Sequence, residues 1–347
     1  MPDADGEELK AVLESYARSR LLMEAVRLGV VERLSTDRAV PVRPLAAELG
    51  LDPEMLRRFL RALATLGVVE LRPDLLTGDA AALTGAGGLL RRDHPRSLAP
   101  VADFCAEHGW PAWSTLGTAL ADGDRLSADS PDNPFAVFAD DRVALDRFEA
   151  QMVRAAERYA GAIAAALDLP PGTSVLDVGG GSGPVAAALL AREPKLEVTV
   201  LDRPYAEPGL RRYLGARCPD GGWDFVAGDF FQAVPAGHDL HLLSRVLHDW
   251  GDRDADRILA RCAAAARPGS RLAVFEKTLP AGGAADPGAL ADFALSDLNT
   301  WLMCGGRERS REELAALVGR HGYRVLDQLT IDPRHVLLVA EHPGRDA

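Results

Sequence analysis

The chain has 347 residues, enough for about two domains, and 47% hydrophobic with 26% charged residues excludes both a disulfide-stapled miniprotein and a largely disordered chain. Against 39 basic residues stand 51 acidic ones, and the net charge of −12 opposes a nucleic-acid backbone unless positive charge gathers on one face. No apolar run reaches the ~18 residues of a membrane span, and the acidic opening MPDADGEELK is unlike a signal peptide, so a cytoplasmic protein without a membrane partner is expected.

From Leu9 to about Leu90 apolar residues recur at helical spacing, and Gly29, Pro41, Gly50 and Gly67 punctuate the pattern into short helices. The run from Val12 to Leu34 reads as one long helix with more apolar surface than a small domain covers, which points to a subunit interface. The segment that follows predicts a winged helix: a helix over Pro44 to Glu48, a turn at Gly50, a second helix with Asp52 as N-cap and Pro53 in first position, then a hairpin from VVEL. Arg57, Arg58 and Arg61 on that second helix suggest DNA reading. Residues 1–100 hold 14 basic and 15 acidic residues, however, whereas a DNA-binding module is clearly basic. Packing or dimerisation is the reading preferred.

Residues 99–165 read as a helical linker rich in aromatic side chains, Phe104, Trp113 and Phe148 among them. These are either core or the wall of a pocket for a flat acceptor. From Thr173 the period changes, and the apolar runs SVLDV, EVTVLD, DFVAG, LHLLSRVL, RLAVFE and VLLVAE alternate with helical stretches. That alternation predicts an α/β, Rossmann-like, doubly wound parallel sheet over 166–347, with VLLVAE as an edge strand. The stretch Ala281 to Ala289 reads as a surface loop. Cys105, Cys218, Cys262 and Cys304 lie more than 40 residues apart with no CxxC pair, so neither a disulfide framework nor a metal site is expected.

In an open parallel sheet ligands sit beyond the carboxyl ends of the strands. The first strand ends in LDVGGGSG, where Gly179 and Gly181 let a ligand approach the backbone at a helix start. The spacing is GxGxG rather than GxGxxG, and Asp177 precedes it. At ~4 Å such a carboxylate repels a pyrophosphate by about 4 kcal/mol at an effective dielectric near 20, whereas it attracts an ammonium. A nucleoside cofactor carrying an ammonium group and no phosphate is S-adenosylmethionine. Asp202 ends the second strand, placed to accept both ribose hydroxyls, and Asp229 ends the third, placed for the adenine amino group, with Phe230 to stack on the ring. The fourth strand leads to His248 before a helix capped by Asp252, and Glu276 and Glu308 sit at equivalent strand-end and loop positions.

The stretches LDVGGGSG, LDRP, GDFF, SRVLHDW, VFEKTLP, SDLNTWLMCGGRERS and LRALATLGVVE together resemble the S-adenosylmethionine-dependent O-methyltransferases of the plant caffeate and bacterial polyketide type. The resemblance implies a homodimer built through a winged-helix N-terminal domain, residues 1–98, and an acceptor hydroxyl held beside the cofactor. His248 matches the catalytic base, and Glu276 and Glu308 match its acidic neighbours. Ser244 and Arg245 fall at cofactor contacts; plant members commonly carry lysine at the Ser244 position. Met152, Asn299 and Met303 match the acceptor pocket.

The implied reaction is methylation of a phenolic hydroxyl of a small aromatic secondary metabolite. Glu276 or Glu308 would orient the imidazole while it takes the acceptor's proton. Two further readings are a same-fold relative that hydroxylates or decarboxylates a polyketide, and a winged-helix DNA-binding regulator.

Overall fold

The computed structural model describes residues 4–74, 78–123, 126–130, 133, 135–279 and 287–343. The chain forms two compact units, Met1–Pro111 and Ala112–Ala347, so the division falls inside the segment read as a linker.

In the first unit the expected long helix is broken. It runs over Ala4–Arg27, and Gly29, with a left-handed φ of 70°, turns the chain into a separate short helix, Val30–Arg33. The winged helix follows, with β1 (Val40–Pro41), a helix over Val42–Leu49, a helix over Pro53–Thr65, and the hairpin β2 (Val69–Asp74) and β3 (Gly78–Leu83), in sheet order β1-β3-β2. Asp52 caps the second helix by accepting the Met55 N–H at 2.9 Å, and Leu56, Leu60 and Leu63 face the core. The three arginines read as DNA contacts are matched by acids on the spot: Arg57 and Arg58 pair with Glu54, and Arg57 and Arg61 with Asp79. That pairing removes the excess positive charge a DNA-binding surface requires.

The second unit holds a seven-stranded sheet: β4 (Ser174–Val178), β5 (Glu197–Asp202), β6 (Trp223–Ala227), β7 (Leu240–Ser244), β8 (Arg271–Lys277), β9 (Arg324–Asp332) and β10 (His335–Glu341). Its order is β6-β5-β4-β7-β8-β10-β9. The first five strands are mutually parallel, whereas β10 runs antiparallel to both β8 and β9, so the sheet is mixed. VLLVAE is therefore an interior strand and not an edge. The edges are β6 and β9, and β9 went unread in the sequence because polar residues interrupt RVLDQLTID so that it shows no apolar run.

Apolar side chains cover both faces of the sheet. One side carries Leu189, Leu210 and Leu214; the other carries Ile258, Leu259, Leu314 and Leu317. This double winding leaves the carboxyl ends of β4, β5, β6 and β7 free to build a site at the β4/β7 switch in strand order. Of the stretch read as a surface loop, residues 281–286 lie outside the described residues, and 287–289 open the helix Pro287–Cys304. No helix among the described residues is long and apolar enough to cross a membrane.

Candidate active site

A cavity of about 500 Å³ opens where the strands end. Of the residues singled out in the sequence, Gly179, Gly181, Asp202, Asp229, Phe230, Ser244 and Arg245 line it, joined by Phe148 and Met152. The bend after β4 sets its floor. Gly181 sits at φ 57° and donates its N–H to Asp202 Oδ2 at 2.8 Å, while the Arg203 N–H reaches Asp202 Oδ1 at 2.6 Å. Burial raises the Asp202 carboxyl above its usual range, and those two backbone hydrogen bonds oppose the rise.

Asp229 Oδ2 pairs with Arg203 Nη1 at 2.7 Å and its Oδ1 accepts the Phe231 N–H at 2.9 Å. Phe230 is held edge-on between Phe231 and Trp250. Asp177 lies beneath this wall and not in it. Only 1% exposed, it packs under Gly180, where a Cβ would come within 2.6 Å of its carboxyl carbon. Burial, with the Asp202 charge adding to it, pushes the Asp177 carboxyl up to about 7.

Beside the cavity, β7 ends at Ser244, and Arg245 takes a left-handed backbone with φ 57° as it leads into the tight turn Leu247–Asp249 that carries His248. Glu276, at the end of β8, does not touch the imidazole. Its Oε1 accepts the N–H groups of Leu247 at 2.8 Å and His248 at 3.3 Å, so it holds the backbone of the turn. Glu308 is the acid that faces the ring, with Oε1 3.6 Å from His248 Nδ1, and the Ser296 hydroxyl donates to the same oxygen at 2.9 Å. On the other side Asp249 Oδ1 stands 3.3 Å from His248 Nε2.

Arg245 Nη1 lies 3.4 Å from Glu308 and 3.9 Å from Glu276. Burial and Arg245 both act to lower the His248 pKa, but Asp249, Glu276 and Glu308 outweigh them and raise it above the ordinary 6.5. Burial acts to raise Glu308, yet His248, Arg245 and Ser296 bring it down to about 2. His248, Glu276 and Glu308 each present one ligand atom within 4.8 Å of the others, a spacing compatible with a metal. The positive charge set among these carboxylates is the Arg245 guanidinium.

The loop after helix Pro287–Cys304 clamps the same turn. The Arg307 N–H donates to the His248 carbonyl at 2.9 Å, and the buried Arg309 guanidinium donates to the carbonyls of Leu247 and Trp250, both at 2.9 Å. Arg309 also binds Asp252 Oδ1. Asp252 is thus the first residue of helix Asp252–Ala265 and an anchor for Arg309, not the cap, which is Gly251. Gly306 lies so close to the His248 carbonyl that a Cβ there would sit 2.0 Å from it.

The remaining acceptor candidates are dispersed. Phe148 stacks on Phe138 at 4.6 Å, and Trp113 Nε1 donates to Asn299 Oδ1 at 2.9 Å away from the cavity wall. Met303 is half-buried on the helix that carries Asn299. Phe104 belongs to the first unit, where its ring leans on His108. Sequence reasoning missed Arg203, Asp249, Arg309 and Glu149. The first two are immediate neighbours of residues already chosen, and Arg309 follows Glu308. Glu149 gave no local signal, being one acid in a charged helix. In the structure it lines the cavity at 8% exposure, and burial pushes it up to about 7 against the pull of Arg142 and Arg212.

Residues 113–324 match the O-methyltransferase domain family and residues 11–83 the O-methyltransferase dimerisation domain. A mitomycin biosynthesis 6-O-methyltransferase from Streptomyces lavendulae is 34% identical over 321 residues, 92% of this chain and 89% of the relative. The phenazine O-methyltransferase of Lysobacter antibioticus is 28% identical over 91% of this chain and 90% of its own. Among solved structures, the mitomycin 7-O-methyltransferase superposes with a TM-score of 0.85 at 32% identity, covering 97% of this chain and 98% of that one. A neocarzinostatin-biosynthesis O-methyltransferase, solved with S-adenosylmethionine and 2-hydroxy-5-methyl naphthoic acid, does so at 0.79 and 28%, covering 94% and 96%.

The site and fold define a methyltransferase, and the matches make the assignment specific: the chain belongs to the S-adenosylmethionine-dependent O-methyltransferases of small-molecule biosynthesis. The comparisons lend no support to a DNA-binding regulator or to a hydroxylating or decarboxylating relative.

Proposed function

We propose that this enzyme methylates a phenolic hydroxyl of a small, planar aromatic secondary metabolite, with His248 as the base, and that it works as a homodimer joined through the first unit. The observation that carries the reading is the His248 ring, set between Glu308 and Asp249 beside the cavity wall. The mitomycin and phenazine relatives, and the neighbour solved with a naphthoic acid, support an acceptor with fused rings. Leu9, Val12, Leu13 and Tyr16 form an exposed apolar stripe at helical spacing, a surface that a second copy would cover.

The cavity suits the cofactor. Its wall carries Glu149, Asp202, Asp229 and Asp249 against two arginines, the balance that suits a cation, and Phe230 offers an edge-held ring for a base to stack on. When bound, S-adenosylmethionine supplies an electrophilic methyl group. The protein's part is the proton. A phenol titrates near 10 and an ordinary imidazole near 6.5, so the transfer runs uphill by about 5 kcal/mol. The acids around His248 raise its pKa and narrow that gap. Glu308 and Asp249, 3.6 and 3.3 Å from the two ring nitrogens, stabilise the imidazolium that forms when the ring takes the proton.

The test is transfer of labelled methyl to candidate phenols, with mass spectrometry of the product. His248→Ala is expected to lose about 10²- to 10⁴-fold in turnover while still binding S-adenosylhomocysteine. Near wild-type turnover by that variant would remove His248 from the chemistry.

A further inference from the structure

A second cavity, of about 860 Å³, adjoins the first within the second unit, and the two share Tyr159 and Arg245 in their walls. Among the described residues the second wall also carries Arg158, Asp332, Arg334 and His335. The β9–β10 hairpin brings the last three to the sheet edge where β8 ends, since His335 pairs in register with both Lys277 and Asp332. Arg158 comes from the end of helix Arg142–Glu157. The aromatic part of the wall is fixed: the Tyr159 and His335 rings stand 5.7 Å apart, and each packs on the buried Phe275, at 4.5 and 5.2 Å.

Charge separates the two cavities. Four acids face two arginines in the first, whereas three arginines face one acid in the second. That acid is spent on internal partners: both Asp332 oxygens take His335 Nδ1 at 2.9 Å, and Oδ1 also accepts the Arg334 N–H at 2.8 Å. Arg245 is balanced by Glu308 and Glu276. Arg334 keeps only a 3.5 Å pair with Asp292, whose other oxygen Lys277 holds at 2.7 Å. Arg158 has no ion pair among the described residues. Once the internal pairs are made, the surplus charge of this wall is therefore positive and sits on two guanidinium groups, whose forked donors match a carboxylate.

We propose that the second cavity is an anion subsite for the acceptor: Arg158 and Arg334 bind a carboxylate, and the Tyr159 and His335 rings flank the aromatic body that bears it. The inference rests on the reading of this enzyme as a methyltransferase of planar aromatic molecules and narrows that class to aromatic acids. Tyr159 and Arg245, common to both walls, mark the junction at which such an acid would meet the cofactor cavity.

Calorimetric titration at saturating S-adenosylhomocysteine would compare hydroxybenzoic and hydroxynaphthoic acids with their methyl esters, on the wild-type enzyme and on the double variant Arg158→Gln, Arg334→Gln. At least one acid should bind the wild-type enzyme about tenfold more tightly than its ester. Molar salt should shrink that preference, because both arginines are exposed. The double variant should lose it while binding the ester and S-adenosylhomocysteine as the wild type does. Esters that all bind as well as their acids, failure of every acid to bind, or a preference that survives in the double variant would overturn the assignment. Methyl transfer is scored separately: an acid that binds through the two arginines but is never methylated would uphold the subsite and count against the proposed reaction.

Discussion

Around His248 the backbone is held from several directions, by the Glu276 carboxylate, the Arg307 N–H and the Arg309 guanidinium, while at the cofactor cavity a few residues away the buried Glu149 carboxyl has no hydrogen bond. The contrast follows from what each region does. In its proposed role as base, His248 must be in place before the acceptor arrives, because orientation contributes much of the rate and small misplacements are costly. The same chain concentrates its hydrogen bonds at the turn and leaves the Glu149 carboxyl with an ion pair to Arg212 and no hydrogen bond.

The change expected to break this contrast most severely is Arg309→Met. It leaves every group that can touch a ligand intact but frees two carbonyls of the turn. We expect kcat to fall about a hundredfold, with KM for the cofactor little changed and Arg309→Lys recovering part of the loss. Steady-state kinetics on both variants check it, and an unchanged kcat in Arg309→Met would mean the turn holds itself.

A second effect, about tenfold per pH unit, sharpens the role of the acids. If neutral His248 is the working form, kcat/KM rises with pH until it levels at a pKa above 6.5. Glu308→Gln removes one of the groups that raise that pKa, so its profile should level at lower pH and reach a lower plateau. A profile unmoved by the substitution would place the titrating group elsewhere.

The opposite end of β7 gives the smallest effect on turnover. His241 is fully buried, neither ring nitrogen has a hydrogen-bond partner, and burial depresses its pKa from 6.5 to about 4. Between those values the unfolded chain binds the proton and the folded one does not, so stability held above pH 6.5 is lost as the pH falls. Denaturant melts should show His241 contributing about 2 kcal/mol of the loss between pH 7 and pH 5. His241→Leu should flatten that slope and leave neutral-pH activity alone; an equally steep slope in the variant would assign the acid sensitivity to other groups.

These differences track what the sequence disclosed. The parallel strands were legible because each is a short apolar run and most end in a glycine or an acid, and the glycine bend, Asp202, Asp229 and His248 fell out of that pattern. The strand β9 was not, because an exposed edge needs no apolar run. The two glutamates could be found but not told apart, since which one faces a ring and which one a backbone depends on how β8 and the 305–309 loop meet the turn. Glu149 was invisible for a related reason: a carboxylate on a charged helix looks solvated until the fold buries it.

Gly306 has a bearing on how relatives of this protein should be judged. The His248 carbonyl and the Asp249 backbone occupy the space that any side chain at that position would need. One added methyl, on a residue outside the cavity wall, would therefore shift the turn that carries the imidazole while His248, Glu276 and Glu308 all remain spelled out in the chain. A homologue could keep all three residues and still be inert toward methylation, and the residue to inspect first would be the second glycine of CGGRER.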